Sequence, residues 1–93
     1  MLESPGTAEI ESARTRLRGF IARTPVVRSP DERVHLKLEN LQPAGSFKVR
    51  PIGNAILSRP RDMLAAGVHT YSSGNSAIAM AWWAKRLGIA ATA

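Results

Sequence analysis

Apolar residues recur at intervals of three and four positions in the first quarter of the chain, and arginines occupy positions between them. This spacing predicts an amphipathic helix over residues 8–22. We expect the helix to end at Thr24, because a residue that precedes proline disfavours the α-helical region. The apolar side of the predicted helix consists of Ile10, Ala13, Leu17 and Ile21.

Short apolar segments bounded by turn residues predict the strands. The clearest alternation of apolar and polar residues lies at 34–39. Shorter strand patterns occur at 26–28, 68–71 and 89–93. The segment between the patterns at 26–28 and 34–39 is rich in Ser, Pro and Asp, which is typical of a turn.

Helical patterns separate the later strands. Ser46 is a predicted N-cap, and the apolar stripe that follows it predicts a helix that breaks at Pro60. A further turn is expected at 62–66. Another helix is predicted over residues 77–87, with Gly88 as its C-terminal stop.

The order strand, helix, strand, helix, strand predicts an α/β fold with a parallel sheet and crossover helices. We interpret residues 1–93 as the N-terminal portion of one domain, with residues 1–7 disordered. A parallel sheet needs both faces covered, and three strands with three helices do this poorly. We therefore expect the fold to be incomplete at the C-terminus.

Composition narrows the classes of function. The net charge of +6 suggests nucleic-acid binding as a function. The basic residues are scattered, however, and one tyrosine and two phenylalanines offer little for base stacking. The chain has no cysteine, and its two histidines lie far apart, so no metal site is expected. We find no apolar stretch of roughly 20 residues and no signal peptide. A cytoplasmic protein without membrane or nucleic-acid partners is expected.

The residues suited to chemistry lie at two strand-to-helix junctions, where α/β proteins usually bind ligands. Helix N-termini there present free N–H groups that suit phosphates and carboxylates. The first junction holds Lys48, whose place at the positive end of a helix favours the neutral amine that attacks aldehydes. The second is Ser72–Asn75. From the residues alone, a surface lysine and an ordinary capped turn or general anion site remain open alternatives.

Two motifs resemble a known family. Residues 37–50, KLENLQPAGSFKVR, resemble the cofactor-lysine segment of threonine and serine dehydratases and serine racemases, which are pyridoxal-phosphate enzymes of fold type II. Residues 72–75, SSGN, followed by an alanine-rich helix, resemble that family's substrate-binding loop. The resemblance covers about residues 17–93 and implies a partial fold type II architecture with pyridoxal 5'-phosphate as cofactor. Val49 stands where threonine and cysteine synthases carry aspartate, which favours the dehydratase and racemase branch.

The resemblance also implies roles for individual residues. Lys48 binds the cofactor covalently and then removes the proton from the substrate α-carbon. Phe47 packs beside the cofactor, and Asn75 hydrogen-bonds its ring hydroxyl. In racemising members a serine that matches Ser73 acts on the opposite face, so Ser73 is a second catalytic candidate. The residues expected around the substrate are Ser72, Ser73, Gly74, Asn75 and Ser76.

Three departures from the family pattern bear on these roles. Pro51 replaces a usual glycine, and a proline early in the helix removes a backbone donor and restricts the residue before it, so the helix start and Lys48 could shift. Ser76 replaces a usual histidine beside the carboxylate site. The family's glycine-rich phosphate loop and the residue facing the pyridine nitrogen are expected beyond Ala93.

The sequence therefore predicts the first part of a dehydratase-like lyase that removes water from a small hydroxy amino acid and yields a 2-keto acid and ammonia. The parent enzyme is expected to be a homo-oligomer, and this chain alone is expected to be inactive. The alternatives are an amino-acid racemase of the same family, a non-catalytic remnant that contacts a full-length paralogue, and a small basic nucleic-acid binder.

Overall fold

The structure, a computed structural model, describes residues 3–93. This part of the chain forms three α-helices and two sheets of two strands each. Short 3-10 turns at Glu39–Leu41, Pro43–Gly45 and Arg61–Leu64 connect them. The elements in chain order are α1 Thr7–Leu17, β1 Val26–Arg28, β2 His35–Lys37, α2 Val49–Leu57, β3 Val68–His69, α3 Asn75–Leu87 and β4 Ala91–Thr92.

Helix α1 is shorter than the helix predicted over residues 8–22, so the predicted C-terminal end was wrong. Arg18 leaves the α region with ψ 133°, and Gly19 follows with φ +86°, a conformation that glycine adopts readily. The expected disorder of residues 1–7 stays a prediction. Residues 1 and 2 lie outside the described residues, residues 3–6 have no regular secondary structure, and Thr7 begins α1.

The two sheets differ in strand direction. Strands β1 and β2 form an antiparallel hairpin in which Val26 pairs with Lys37. Strands β3 and β4 are parallel, with Val68 opposite Ala91 and α3 as the crossover between them. The predicted α/β fold and this crossover are confirmed. The strand at 34–39, however, was wrongly expected in the parallel sheet, because its short connection to β1 allows only an antiparallel return.

The core lies between the helices and is centred on Trp83, which is fully buried. Its indole N–H donates a hydrogen bond of 2.8 Å to the carbonyl oxygen of Val49. A Cβ atom added to Gly53 of α2 would lie 2.2 Å from the Trp83 ring, so only glycine lets α2 approach α3 this closely. Trp82 is half-buried, which confirms that one tryptophan of the pair is core and the other is partly exposed.

Helix α3 begins two residues earlier than predicted and ends where predicted. Gly88 has φ +70° and ψ 36°, and the following Ile89 N–H donates to the carbonyl of Ala84 (3.0 Å), which terminates the helix. The break after α2 and the turn at Arg61–Leu64 also match the sequence pattern. None of the helices within residues 3–93 is long and apolar enough to cross a membrane.

Candidate functional site

Lys48 lies in a tight turn that leads into α2. Ser46 has an extended backbone, and its hydroxyl accepts a hydrogen bond of 3.3 Å from the Lys48 N–H. Lys48 already has helical dihedral angles, with φ −60° and ψ −20°. Its carbonyl accepts the first regular helical bond, from the Ile52 N–H at 3.2 Å. The Ser46 hydroxyl thus binds the backbone of Lys48, but the regular helix starts at Val49 with Lys48 at its N-cap position and no side-chain cap bond, so the prediction of Ser46 as the N-cap was wrong.

Pro51 is accommodated by this tight turn. A continuous α-helix would use the N–H of residue 51 to reach the carbonyl of Phe47, and proline lacks that donor. The Arg50 N–H instead donates to the Phe47 carbonyl at 2.9 Å, across three residues. The Phe47 carbonyl is therefore paired despite the proline, and Lys48 lies at the N-cap position of α2.

The side chains of Phe47 and Lys48 lie next to each other near the surface. Phe47 is 53% exposed, whereas Lys48 is half-buried. The Lys48 amine nitrogen lies 5.3 Å from the centre of the Phe47 ring. The pair therefore presents an amine beside an exposed aromatic face, which suits a flat, aldehyde-bearing ligand.

The chain reverses direction sharply just before this pair. Ala44 and Gly45 both have positive φ angles, of 70° and 75°. Positive φ is uncommon for alanine and costs about 1 kcal/mol or more. The Gly45 N–H donates to the Gln42 carbonyl at 2.9 Å and closes the turn. The connection ahead of Lys48 is thus held in a specific, unfavourable shape by its surroundings.

A polar cluster around Glu39 supplies part of that support. The Arg50 side chain binds the Glu39 carboxylate through two nitrogens, Nε to Oε1 and Nη2 to Oε2, the latter at 3.2 Å. The Thr24 hydroxyl and the Gln42 amide, at 3.2 Å, donate to the same carboxylate. Glu39 is 17% exposed and Thr24 and Gln42 are buried, so the carboxylate lies largely out of water.

In this cluster the pKa of Glu39 is lowered, and Gln42 links the carboxylate to the backbone of Ala22. The hydrogen bonds from Arg50, and less strongly those from Thr24 and Gln42, lower the pKa of Glu39 from 4.5 to about 2, although burial acts in the opposite direction. Gln42 also bonds the backbone of Ala22 twice, accepting from its N–H at 2.8 Å and donating to its carbonyl at 2.7 Å. The cluster therefore joins the Lys48 segment to the chain that follows α1.

Sequence reasoning did not assign a role to any member of this cluster. Glu39, Gln42 and Arg50 all lie inside the motif at 37–50, and Thr24 was singled out only as a helix end. The contacts cross a loop, so no helical or strand periodicity connects them. The available signal was a carboxylate and a guanidinium that flank the lysine within one motif.

The second junction is more open. Ser73, Gly74 and Asn75 are exposed, and Ser72 and Ser76 are half-buried. The Gly74 N–H donates to the Ser72 hydroxyl at 3.1 Å. No side chain of residues 3–93 caps α3, whose first helical bond runs from the Ile78 N–H to the Gly74 carbonyl (3.1 Å). The N–H groups ahead of that bond can therefore bind an anionic ligand.

Gly74 leaves free space at this junction. A Cβ atom built on it would meet no atom within 4 Å, and its φ of −114° does not require glycine. Nothing within residues 3–93 explains a glycine here by intramolecular contact. The space fits the predicted close approach of a ligand to the backbone.

The two junctions share a support rather than direct hydrogen bonds. Helix α3, which starts at the second junction, packs against α2 and against the Pro43–Gly45 turn ahead of Lys48. The hydrogen bond from Trp83 to Val49 ties α3 to the residue after Lys48. In the described part of the chain, the hydrogen bonds of Lys48 and those of Ser72–Ser76 do not connect the segments.

Two surface clefts lie away from these junctions. One, of about 730 Å³, is bordered by α1, the following turn and the start of α2. The other, of about 370 Å³, lies between α2 and β3. Neither is lined by Lys48 or by Ser72–Ser76.

The donor groups at the two junctions fit part of a pyridoxal-phosphate site. Lys48 offers an amine for the aldehyde, Phe47 an aromatic face, and Asn75 and the start of α3 offer hydrogen-bond donors. Residues 3–93 contain no group of three His, Asp or Glu side chains arranged to hold a metal ion. Lys48, Phe47 and Asn75 would contact the aldehyde end and one edge of the cofactor.

Comparisons with known proteins identify the family of the chain. The family model described as "Pyridoxal-phosphate dependent enzyme" matches residues 17–93. A catabolic L-threonine dehydratase of Staphylococcus aureus is 41% identical, with the match covering 90% of this chain and 26% of that protein. A serine racemase of Arabidopsis thaliana is also 41% identical, with coverages of 88% and 27%. The chain thus spans about a quarter of the length of these curated relatives.

A solved structure gives the same result for the fold. The structure of maize serine racemase superposes with a TM-score of 0.88 at 35% sequence identity, covering 96% of this chain and 30% of that one. That agreement confirms the predicted fold type II architecture over the described residues.

Proposed function

Because this chain belongs to the family of pyridoxal-phosphate dependent enzymes, we propose that its protein removes water from a small hydroxy amino acid and releases a 2-keto acid and ammonia. The observation that carries the proposal is Lys48 in the tight turn ahead of α2, where its N–H binds the Ser46 hydroxyl and its amine lies 5.3 Å from the centre of the exposed Phe47 ring. The relatives named as threonine dehydratases support this reaction class. A homo-oligomeric state and a cytoplasmic location stay predictions.

The proposed binding roles follow the two junctions. Lys48 holds the cofactor aldehyde through its amine, Phe47 packs beside the ring, and Asn75 donates a hydrogen bond at the ring hydroxyl. The N–H groups at the start of α3 bind the substrate carboxylate, together with Ser72 and Ser76. Gly74 lets that carboxylate approach the backbone without meeting a Cβ atom.

The proposed chemistry uses one proton transfer by this chain. Bound pyridoxal phosphate supplies an electron sink for charge that develops at the substrate α-carbon. With the cofactor bound, the amine of Lys48 would be the group of this chain that takes the α-proton of the substrate as a general base. Lys48 is half-buried, and its nitrogen lies beside the Phe47 ring.

Racemisation is the second candidate, and the exposed hydroxyl of Ser73 favours it. A racemase needs a base that takes the α-proton on one face and an acid that returns a proton on the other, and Ser73 would supply that proton on the face opposite Lys48. The relatives named as serine racemases make this a specific alternative. Ser73→Ala should abolish racemisation but leave most of the dehydration.

Product analysis tests the proposal. We would incubate the natural full-length protein and pyridoxal phosphate with L-serine or L-threonine, then quantify 2-keto acid, ammonia and D-amino acid. Keto acid and ammonia in equal amounts support dehydration, and D-amino acid without keto acid supports racemisation. If the protein binds the cofactor but forms neither product from any hydroxy amino acid, the proposed reaction is wrong.

A further inference from the structure

We propose that the ion pair between Glu39 and Arg50 is a positioning element that holds the Lys48 amine in its reactive place. This inference rests on the proposed function and adds two residues that act through Lys48. It is carried by the geometry of the cluster and by the conformation of the segment that the cluster closes.

The pair closes a loop around the lysine. Glu39 lies nine positions before Lys48, and Arg50 lies two positions after it. The two-nitrogen contact between them fixes both distance and orientation, because a planar guanidinium matches a carboxylate in only a few arrangements. Every residue between them, including Phe47 and Lys48, is therefore constrained from both ends.

The enclosed segment cannot hold this shape through regular secondary structure. It contains two 3-10 turns, the positive φ angles of Ala44 and Gly45, and the turn altered by Pro51. Backbone strain of this kind persists only where surrounding contacts enforce it. The ion pair, with Thr24 and Gln42 on the same carboxylate, provides such contacts at the base of the segment.

Exposure separates this pair from the other ion pairs of the described residues. Glu39 is 17% and Arg50 36% exposed, whereas Glu11 and Arg14 are 59% and 64% exposed and 3.7 Å apart. Exposed ion pairs contribute little to stability. A partly buried pair with further hydrogen bonds constrains the positions of its two side chains more strongly. Glu11→Gln is therefore a matched control for Glu39→Gln.

The test measures where pyridoxal phosphate reacts within one protein molecule. The full-length protein is mixed with the cofactor, reduced with borohydride, and digested, and mass spectrometry gives the ratio of modified Lys48 to modified Lys85. Lys85 is exposed on α3 and reports general amine reactivity. Because small misplacements of a reacting group cost large factors in rate, we expect Glu39→Gln and Arg50→Lys to lower this ratio roughly tenfold.

Controls separate positioning from loss of fold. Glu11→Gln should keep the wild-type ratio. Circular dichroism of each variant shows whether it is folded, and Arg50→Lys, which keeps the charge but loses the two-nitrogen contact, serves if Glu39→Gln does not fold. A structural role alone would lower the folded fraction without changing the ratio in the folded protein.

The outcomes distinguish the two proposals. Wild-type capture at Lys48 with an unchanged ratio in folded Glu39→Gln and Arg50→Lys would overturn the positioning role and leave the proposed function intact. If wild-type protein captures no cofactor at Lys48, the proposed function fails, and the positioning role fails with it.

Discussion

The segment that carries Lys48 and the segment Ser72–Asn75 differ in how firmly the chain itself holds them. The first is joined to its surroundings by the Glu39 cluster, the hydrogen bond from Lys48 to the Ser46 hydroxyl and the bond from Trp83 to Val49. The second has one side-chain hydrogen bond, between Ser72 and Gly74, and three exposed residues. Polar contacts within the chain thus hold the segment around Lys48, whereas the polar groups of the second junction stay available for a ligand.

This difference is what the proposed chemistry requires. A covalently bound cofactor needs its lysine at one place before the substrate arrives, which favours a preorganised segment. A carboxylate needs donors that are not already paired, which favours an open helix N-terminus. Substitutions should therefore cost more stability in the first segment than in the second.

The largest effect should come from Lys48→Ala, which removes the amine that holds the cofactor. We expect complete loss of the visible absorbance of bound pyridoxal phosphate in the full-length protein. Lys85→Ala, at an exposed position of α3, should keep that absorbance. Persistence of the band in Lys48→Ala would remove this lysine from the proposed role.

Two glycine substitutions compare α2, which follows Lys48, with the second junction. Gly53→Ala places a Cβ atom 2.2 Å from the Trp83 ring and should destabilise the protein by about 2–3 kcal/mol. Gly74→Ala meets no atom within 4 Å and should change stability by about 0.5 kcal/mol or less. Urea unfolding measures both, and equal costs would contradict the comparison.

The pH dependence of Glu39→Gln tests the charge in the first segment. The folded-state pKa of Glu39 is lowered to about 2, so its carboxylate contributes stability above the ordinary value of 4.5 and loses that contribution as the pH falls toward 2. Glu39→Gln should therefore be less stable than wild type by about 2 kcal/mol at pH 7. The gap should close on acidification.

Unfolding curves at pH 7, 4 and 2.5 would measure that gap, with Glu11→Gln as the control that shows little difference at any of them. A gap between wild type and Glu39→Gln that stays constant over this range would show that the carboxylate charge is not the cause.

Two serine substitutions should give the smallest effects. Ser46→Ala removes, at a buried position, the hydroxyl that accepts a hydrogen bond from the Lys48 N–H, and it should cost about 1 kcal/mol. Ser72→Ala removes a similar bond to Gly74 at a more exposed position and should cost about 0.5 kcal/mol or less. The reverse order, seen in thermal or urea unfolding, would contradict the account.

The sequence predicted much of this architecture because many of its signals are local. Gly88 ends α3 through a conformation that glycine favours, and the apolar pattern placed α2 and α3 nearly correctly. The direction of the strand at 34–39 was missed, because alternation does not specify a partner strand. The early end of α1 depends on Gly19, whose positive φ was not anticipated.

The candidate site was predictable to a different degree in each segment. A motif indicated Lys48 and Ser72–Asn75, and the roles assigned to them stay predictions. The cluster of Glu39, Gln42, Arg50 and Thr24 could not be read from periodicity, because its members meet across loops. The effect of Pro51 could be seen only in the three-dimensional structure, in which the Arg50 N–H donates a hydrogen bond to the Phe47 carbonyl.

The most direct measurement of the central claim is to reduce the wild-type, full-length protein with borohydride in the presence of pyridoxal phosphate and to locate the modified residue by mass spectrometry. We expect one dominant modified peptide, which contains Lys48, at cofactor concentrations that leave Lys37 and Lys85 largely unmodified. Modification of another lysine, or equal low modification of all three, would contradict it.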